Sequence, residues 1–500
     1  MRLQDLVGAL LHVRVVGEIS AVEVTDVTAD SRTAGPGSLF IALRGHTVDG
    51  HAFVDEARRS GAVAAVVEDC LDTPLPQIVV PDTRRAAAVL AAVFFRHPSR
   101  AMRVIGVTGT NGKTTVTHLI DHLLRGSGAR TGLIGTIQTR IGDWSSEAIN
   151  TTPEAVELQR LFAQMRDAGV SHAVMEVSSH ALELDRVAGT RFHTAVFTNL
   201  TQDHLDFHGS MEAYREAKGK LFARLGNEYG DTRADQAFAV VNLDDPVGKW
   251  MARQTTAQTV TYGVDRPADL RAREVEVDTR GVRFVAEIEG RRTRVQVPLP
   301  GRFSVYNILA AMGAGWIQGF DLDWMADQLA RVSGVPGRME RVDAGQPFGV
   351  VVDYAHTPDS LDNVLQALRE VTSGRLIVVF GCGGDRDRTK RPLMGRIAYT
   401  RADYAILTSD NPRTEDPERI LDDIEAGLRE IGADTSRYER ISDRTEAIRR
   451  AIHLAGEKDV VLIAGKGHET YQIIGRRKFP FDDRVEARKA LDALHTPGGR

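Results

Sequence analysis

At 500 residues the chain is too long for one ordinary hydrophobic core, and its length predicts about three domains. Its 42% hydrophobic and 26% charged residues give the balance of a globular protein, and a formal net charge of -5 offers no global attraction to nucleic acid. Two cysteines, Cys70 and Cys382, exclude a disulfide framework and fit a reducing compartment, so a cytoplasmic location is expected.

The opening segment MRLQDLVGALLHV places Asp5 early and shows no small-residue cleavage site, so no secretory signal is read there. Apolar runs at Ser38 to Leu43, Ala62 to Val67 and Gln77 to Val80 alternate with helical stretches and Gly-rich turns, which predicts a small α/β unit over residues 1–100. The run Ala86 to Phe95 is flanked by Arg84, Arg85 and Arg96 and is shorter than the roughly 18 residues a membrane span needs. It reads as a buried helix, and no membrane insertion is expected.

From Arg103 a run VIGVTG leads into a Gly-rich turn. Val116, Leu119, Ile120, Leu123 and Leu124 follow at helical spacing, ended by Gly126 and Gly128. Further strand-like runs at His172 to Val177, Thr194 to Leu200 and Phe238 to Leu243, separated by helical segments, predict a mostly parallel sheet. The stretch SGVPGRMERV punctuates the chain, and a new β-α alternation begins at Phe348 to Tyr354, with runs at Leu376 to Phe380, Tyr404 to Leu407 and Val460 to Ala464. The expected architecture is α/β with three domains. These are a small N-terminal α/β domain (1–100), a central P-loop ATPase-like domain with a mostly parallel sheet (101–338) and a C-terminal Rossmann-like domain (339–500).

The segment Val107-Thr-Gly-Thr-Asn-Gly-Lys-Thr-Thr115 lies between that first strand and helix, where backbone N–H groups and the helix dipole converge on an anion. Gly109, Thr110, Asn111, Gly112, Lys113, Thr114 and Thr115 form the candidate cradle. Lys113 would reach the β/γ-phosphates and Thr114 would offer its hydroxyl to Mg²⁺. A standard phosphate loop has glycine where this chain has Val107. An ordinary Gly-rich turn is the bland alternative, but strand, GKTT and amphipathic helix in this order point to a nucleotide. ATP hydrolysis, GTP switching and group transfer stay open at this point.

TGTNGKTT resembles the variant loop of the Mur ligase superfamily, which includes folylpolyglutamate synthase and cyanophycin synthetase, and the resemblance runs over nearly the whole chain. It implies an ATP-dependent amide ligase with two Mg²⁺ ions. MEVSSH implies Glu176 as a metal ligand, and TNLTQDHLDFH implies His204. Asn307 in SVYNILAA matches the adenine-contacting Asn, and Arg338 and Asp353 match residues near the ATP site. Taken singly, Glu176 could be a solvated turn residue, and Arg338 with Asp353 an ordinary ion pair. His204 and His208, four apart, would share a face if helical, and a His ligand is atypical for Mg²⁺, which prefers oxygen.

YREAKGKLF alone would read as a solvated helix face. The family carries a carbamylated lysine in this segment, which implies Lys218, and not Lys220, as an N6-carboxylysine made with CO2. Carbamylation turns a cation into an anion able to orient Mg²⁺, and a lysine whose ammonium form is disfavoured suits it.

The resemblance also implies the substrates. Ser31 in DSR, with His46, Thr47 and Val48, matches the uridine-nucleotide segment. Asn150, Thr151 and Thr152, with Ser178 and Arg186, match the muramoyl-dipeptide segment. The family often has Gln where this chain has Leu184, so that contact is not carried over. Asp410-Asn-Pro-Arg413 follows the strand YAILT at its carboxyl end, where ligands bind in open α/β sheets. As a tetrapeptide it is also a common turn, but in the family DNPR accompanies meso-diaminopimelate as acceptor. A guanidinium forks onto a carboxylate, and diaminopimelate has a distal carboxylate that lysine lacks. Arg386, Gly465 and Glu469 match the remaining acceptor contacts. The implied reaction adds meso-diaminopimelate to the D-Glu γ-carboxylate of UDP-MurNAc-L-Ala-D-Glu through an acyl phosphate, in peptidoglycan synthesis, by a monomer. The rivals are a lysine-adding or other Mur-type ligase, a P-loop switch and an inactive homologue.

Overall fold

Parallel strands need crossovers of a dozen or more residues and bury both faces, so they are written as near-continuous apolar runs. The computed structural model, which describes residues 1–45, 48–226, 232–233, 235–278 and 281–495, builds its sheets from such runs. The chain divides into two compact units. One is Met1–Leu200 with His204–Tyr262 and Ala310–Phe320, and the other is Thr201–Asp203 with Gly263–Leu309 and Asp321–Arg500.

The first unit holds two sheets. In the N-terminal sheet, Arg14–Val16, Gln77–Val79, Ala64–Val67, Ser38–Ile41 and Asp26–Thr28 lie in that order, parallel except for the first pair. The run read as a buried helix is one, Thr83–Phe94. Asp82 caps it by accepting from the amides of Arg84 and Arg85, and Leu90 packs in the same core as Ile78 and Val66.

In the central sheet the order is Gln258–Gly263, Phe238–Asn242, Thr194–Phe197, Arg103–Thr108, His172–Glu176 and Thr131–Ile134, all parallel. Gln138–Ile141 and Trp144–Glu147 extend it antiparallel. This hairpin is absent from the sequence reading because its outer strand, WSSE, is exposed and carries no apolar alternation.

The second unit contains an element on which the sequence reading is silent, an antiparallel meander of Leu270–Asp278, Gly281–Ile288 and Arg291–Val297. The six-stranded sheet of this unit follows the sequence reading closely. Glu340–Arg341, Gly349–Asp353, Val460–Ala464, Leu376–Phe380, Tyr404–Leu407 and Tyr438–Arg440 lie in that order, parallel except for the first pair. Along Leu376–Phe380, Leu376, Val378 and Phe380 enter one core while Ile377 and Val379 enter another, so helices cover both faces. Among the described residues no helix is long and apolar enough to cross a membrane.

A fully buried ion pair ties the last helix, Asp483–His495, to this sheet. Arg444 donates to both carboxylate oxygens of Asp483 at 2.7 Å and to the carbonyl of Ala464 at 2.9 Å. Arg444→Met leaves a buried carboxylate uncompensated, and a loss of about 3–5 kcal/mol is expected in denaturant unfolding of the C-terminal transition. Unchanged unfolding would show that Asp483 finds another partner.

Candidate active site

The strand Arg103–Thr108 ends at Gly109, whose φ is 152°, and the helix Lys113–Gly126 starts after Gly112, at φ 85°. A Cβ on Gly109 would stand 1.9 Å from Thr198 Oγ1, so only glycine allows the strand Thr194–Phe197 and its following loop to support the turn. That support is specific. Asn199 accepts from the amides of Thr110 and Asn111, each at 2.9 Å, and Thr198 Oγ1 donates to the Asn111 carbonyl at 2.6 Å. Val107, the odd residue of the motif, is fully buried in the sheet, and its carbonyl accepts from Val177 N at 2.8 Å. The usual glycine position is therefore strand interior here, and the turn begins two residues later.

Glu176 ends the neighbouring strand and is 1% exposed, which overturns the solvated-turn alternative. Its Oε2 accepts from Thr114 Oγ1 at 3.0 Å and Thr136 Oγ1 at 3.1 Å, and its Oε1 from Thr136 N at 2.7 Å. Gly135 leaves room for this, since a Cβ there would lie 2.5 Å from Oε1.

The two lysines of YREAKGKLF separate cleanly. Lys220 pairs on the surface with Glu183 at 2.7 Å, while Lys218 is 1% exposed, so the solvated-face reading holds for one and fails for the other. Lys218 Nζ donates to the Gly109 carbonyl at 2.9 Å and lies 4.4 Å from the Tyr214 ring centre. Lys113 Nζ donates to the same carbonyl at 2.9 Å and to that of Thr110 at 2.8 Å. Two ammonium groups thus converge on one oxygen.

His204 has φ 53° and precedes the helix Leu205–His208, so it does not share a helix face with His208 as its spacing suggested. The two gather instead around His180 and Tyr214. His180 is 4.7 Å from His204 and 5.5 Å from His208 between ring centres, and Tyr214 is 6.1 and 5.1 Å from them. Burial, then the neighbouring histidines, push His180 down to about 4, which keeps it neutral at neutral pH.

The muramoyl-segment residues meet at the same strand end. Thr152 Oγ1 donates to the Glu176 carbonyl at 2.9 Å and accepts from Ser178 N at 3.1 Å, and Thr151 Oγ1 lies 3.0 Å from Thr136 Oγ1. Arg186 donates to the Thr152 carbonyl at 3.1 Å and pairs with Glu154 at 2.8 Å. Asn150 is exposed on this segment. In DSR, Asp30 caps the turn and pairs with Arg32 at 2.6 Å, with Ser31 between them. Val48 is exposed, and His46 and Thr47 lie outside the described residues.

In the second unit, Asn307 is buried on the helix Arg302–Ile317. Arg338 and Asp353 each have partners that the plain ion-pair alternative did not provide for. Arg338 stacks 4.7 Å over Tyr354, while Asp353 accepts from the amides of Met339 and Ala355 at 2.7 and 2.9 Å. Burial holds the Asp353 carboxyl above its usual range, against the pull of Arg338. Gly465 N donates to the Asp353 carbonyl at 3.0 Å, which joins this group to the acceptor residues.

The acceptor residues converge as well. Arg413, at φ 52°, is clipped to the hairpin Tyr471–Ile474 and Arg477–Pro480: its N donates to the Ile473 carbonyl at 3.0 Å, and its carbonyl accepts from Gly475 N at 2.7 Å. Arg413 Nη1 donates to the Gly384 carbonyl at 2.7 Å. A Cβ on Gly383 would lie 3.0 Å from Arg413 Nη1 and 3.7 Å from Arg386 Cγ, so both arginine side chains come close to this glycine. A Cβ on Gly384 would be 1.9 Å from the Pro412 carbonyl, which makes that glycine a condition of the loop packing. Asn411 Nδ2 donates to Glu469 Oε2 at 2.9 Å.

Three contributors escaped the sequence reading. Thr136 holds Glu176, Lys466 is fully buried between Asp410 and Glu469, and Arg391 grips Glu415 beside the Gly383 turn. Arg391 and then Arg388 draw the Glu415 carboxyl down to about 2. Lys466 had a signal: it sits inside GKGHE, directly after the wholly apolar strand VVLIA.

A phosphate-binding strand-loop-helix turn beside a buried carboxylate and hydroxyl, in a chain that also carries an arginine-lined loop at the carboxyl ends of a second parallel sheet, defines a nucleotide-using α/β protein with a separate polar ligand site. Three family models match the chain in order: "Mur ligase family, catalytic domain" over residues 23–95, "Mur ligase middle domain" over 107–315 and "Mur ligase, glutamate ligase domain" over 337–467. The chain belongs to the Mur ligase family. It is 52% identical to a UDP-N-acetylmuramoyl-L-alanyl-D-glutamate--2,6-diaminopimelate ligase of Geobacillus thermodenitrificans, over 98% of this chain and 99% of that protein. The ligase of the same name from Bacillus cereus is 48% identical, over 98% of each chain. A solved structure of a ligase with this name superposes with a TM-score of 0.67 at 37% identity, covering 96% of this chain and 97% of that one.

Proposed function

We propose that this chain is the ATP-dependent ligase that adds meso-diaminopimelate to the D-Glu γ-carboxylate of UDP-MurNAc-L-Ala-D-Glu, a cytoplasmic and monomeric MurE-type enzyme of peptidoglycan synthesis. The observation that carries the choice of acceptor is the approach of the Arg413 and Arg386 side chains to Gly383, with Glu469, from the GKGHE loop, bonded to Asn411 of DNPR. Two cations there suit the distal carboxylate of diaminopimelate, and the Glu469 carboxylate suits its ammonium. Residues 1–100 would hold the uridine nucleotide, through Ser31, His46, Thr47 and Val48. Residues 101–338 would hold ATP, and 339–500 the amino acid.

Glu176 and the Thr114 hydroxyl supply the oxygen donors a hard cation prefers. With His204 and a carbamylated Lys218 they would hold two Mg²⁺ ions, whose role is to neutralise charge between the ATP phosphates and the substrate carboxylate. Carbamylation of Lys218 is supported by the crowding of two ammonium groups on the Gly109 carbonyl. Converting one to an anion with CO2 removes the repulsion. Thr151, Thr152, Ser178 and Arg186 would place the D-Glu carboxylate near Lys113. That carboxylate attacks the γ-phosphorus of ATP and expels ADP. The diaminopimelate amine then attacks the acyl carbon, loses a proton and releases inorganic phosphate. Asn307, Arg338 and Asp353 would hold the nucleotide. Catalysis is mainly positioning and charge neutralisation.

The test is phosphate release with each substrate omitted in turn. Release is expected only when ATP, UDP-MurNAc-L-Ala-D-Glu and diaminopimelate are all present. Turnover with nucleotide alone would favour a P-loop switch, and equal use of lysine would favour a lysine-adding ligase.

A further inference from the structure

We propose that Lys466 is a positioning residue of the acceptor site, one that fixes the two carboxylates available to the ammonium group of the incoming diamino acid. The inference rests on the reading of these loops as the diaminopimelate site. The strand Val460–Ala464 ends at Gly465, whose φ of 118° turns the chain so that the next side chain points inward, and Lys466 is 0% exposed. An ammonium has three N–H donors and no acceptor, and an unpaired buried one is strongly disfavoured. All three donors of Lys466 are accounted for: Asp410 Oδ1 at 3.3 Å, Asn411 Oδ1 at 3.0 Å and Glu469 Oε2 at 3.1 Å. Two of these acceptors belong to DNPR and the third to GKGHE, so one side chain joins the two loops.

This geometry has two consequences. Glu469 Oε2 receives both Lys466 and Asn411 Nδ2, so the oxygen left to meet a ligand is Oε1, held in one orientation. Asn411 is held in turn, because its Oδ1 also accepts from Ile473 N at 2.8 Å. In charge, two carboxylates and one ammonium leave a single negative charge, which an incoming ammonium would neutralise. Arg444 is close enough to act on Asp410, but it is committed to Asp483. Without Lys466 the two carboxylates would repel each other with no cation between them, and the pre-set orientation of Glu469 would be lost.

Lys466 therefore acts on the ammonium end, which diaminopimelate and lysine share, while Arg413 acts on the carboxylate that only diaminopimelate has. Steady-state constants for all substrates of the full-length enzyme separate the two roles. Lys466→Met should raise the KM for diaminopimelate and for lysine by the same factor, roughly 30-fold, with kcat and the KM for ATP little changed. Lys466→Gln guards against misfolding, since its amide can still donate to one carboxylate, and it should give a smaller rise in the same two constants. Lys466→Arg, which keeps the charge, should recover part of the loss. Unchanged acceptor KM values in Lys466→Gln, or KM values for ATP and the muramoyl substrate rising in parallel, would overturn the proposal. Failure of the parent enzyme to use any diamino acid would instead overturn the reading of the acceptor site on which it rests.

Discussion

Replacing Lys218 with Ala is expected to lower kcat by about 10²–10³-fold, the usual cost of removing one pre-organised electrostatic contact from a transition state. The folded protein should survive the change. Lys218 is buried on the helix Met211–Ala223, whose core is held by Tyr214, Leu221 and Phe222, and alanine favours helix. Formate or acetate should restore part of the rate, because a small carboxylate can enter the space vacated by the side chain and take the place of the carbamate. Lys220→Ala, two residues further along the helix and on the surface, should leave kcat within about twofold. The measurement is kcat with and without added carboxylate. Full activity in Lys218→Ala, or a loss that no carboxylate relieves, would exclude the carbamate role.

The second large effect concerns specificity. Arg413→Ala should reduce the preference for diaminopimelate over lysine by about 10²-fold in kcat/KM, because the guanidinium that would pair with the distal carboxylate is gone. The effect is set below that of a fully buried pair because Arg413 is only half-buried. Its backbone bonds to Ile473 and Gly475 do not depend on the side chain, so the loop should keep its path. The side chain also donates to the Gly384 carbonyl, so a small loss of stability is expected as well. Parallel kcat/KM measurements with the two amino acids decide the matter. An unchanged ratio would move discrimination to Arg386 or elsewhere.

Much of the fold was legible because parallel strands buried on both faces have no polar face to hide the pattern. The spans Leu376–Phe380, Tyr404–Leu407 and Val460–Ala464 coincide with the apolar runs residue for residue. The outer hairpin at Trp144–Glu147 and the meander over 270–297 were not legible. Trp144–Glu147 is exposed and the outer meander strands partly so, and pairing with a neighbour, not a local apolar run, makes them strands; only Gly281–Ile288 carries a local signal, the alternation of buried Val282, Phe284, Ala286 and Ile288.

Among the site residues, residue type and order are enough to show which groups are chemically able to act: a phosphate turn with Lys113 and Thr114, the acid Glu176, two lysines at 218 and 220, and arginines at 386 and 413. Tertiary structure alone decided which of them are withdrawn from water and aimed. It buried Lys218 on the Gly109 carbonyl and left Lys220 on the surface, gathered His204 and His208 through His180 and not through a helix face, and closed Lys466 on Asp410 and Glu469. The physical reason is that residue type and spacing fix charge and donor capacity locally, whereas burial and the choice of partner depend on elements that meet only when chain segments far apart in sequence pack together.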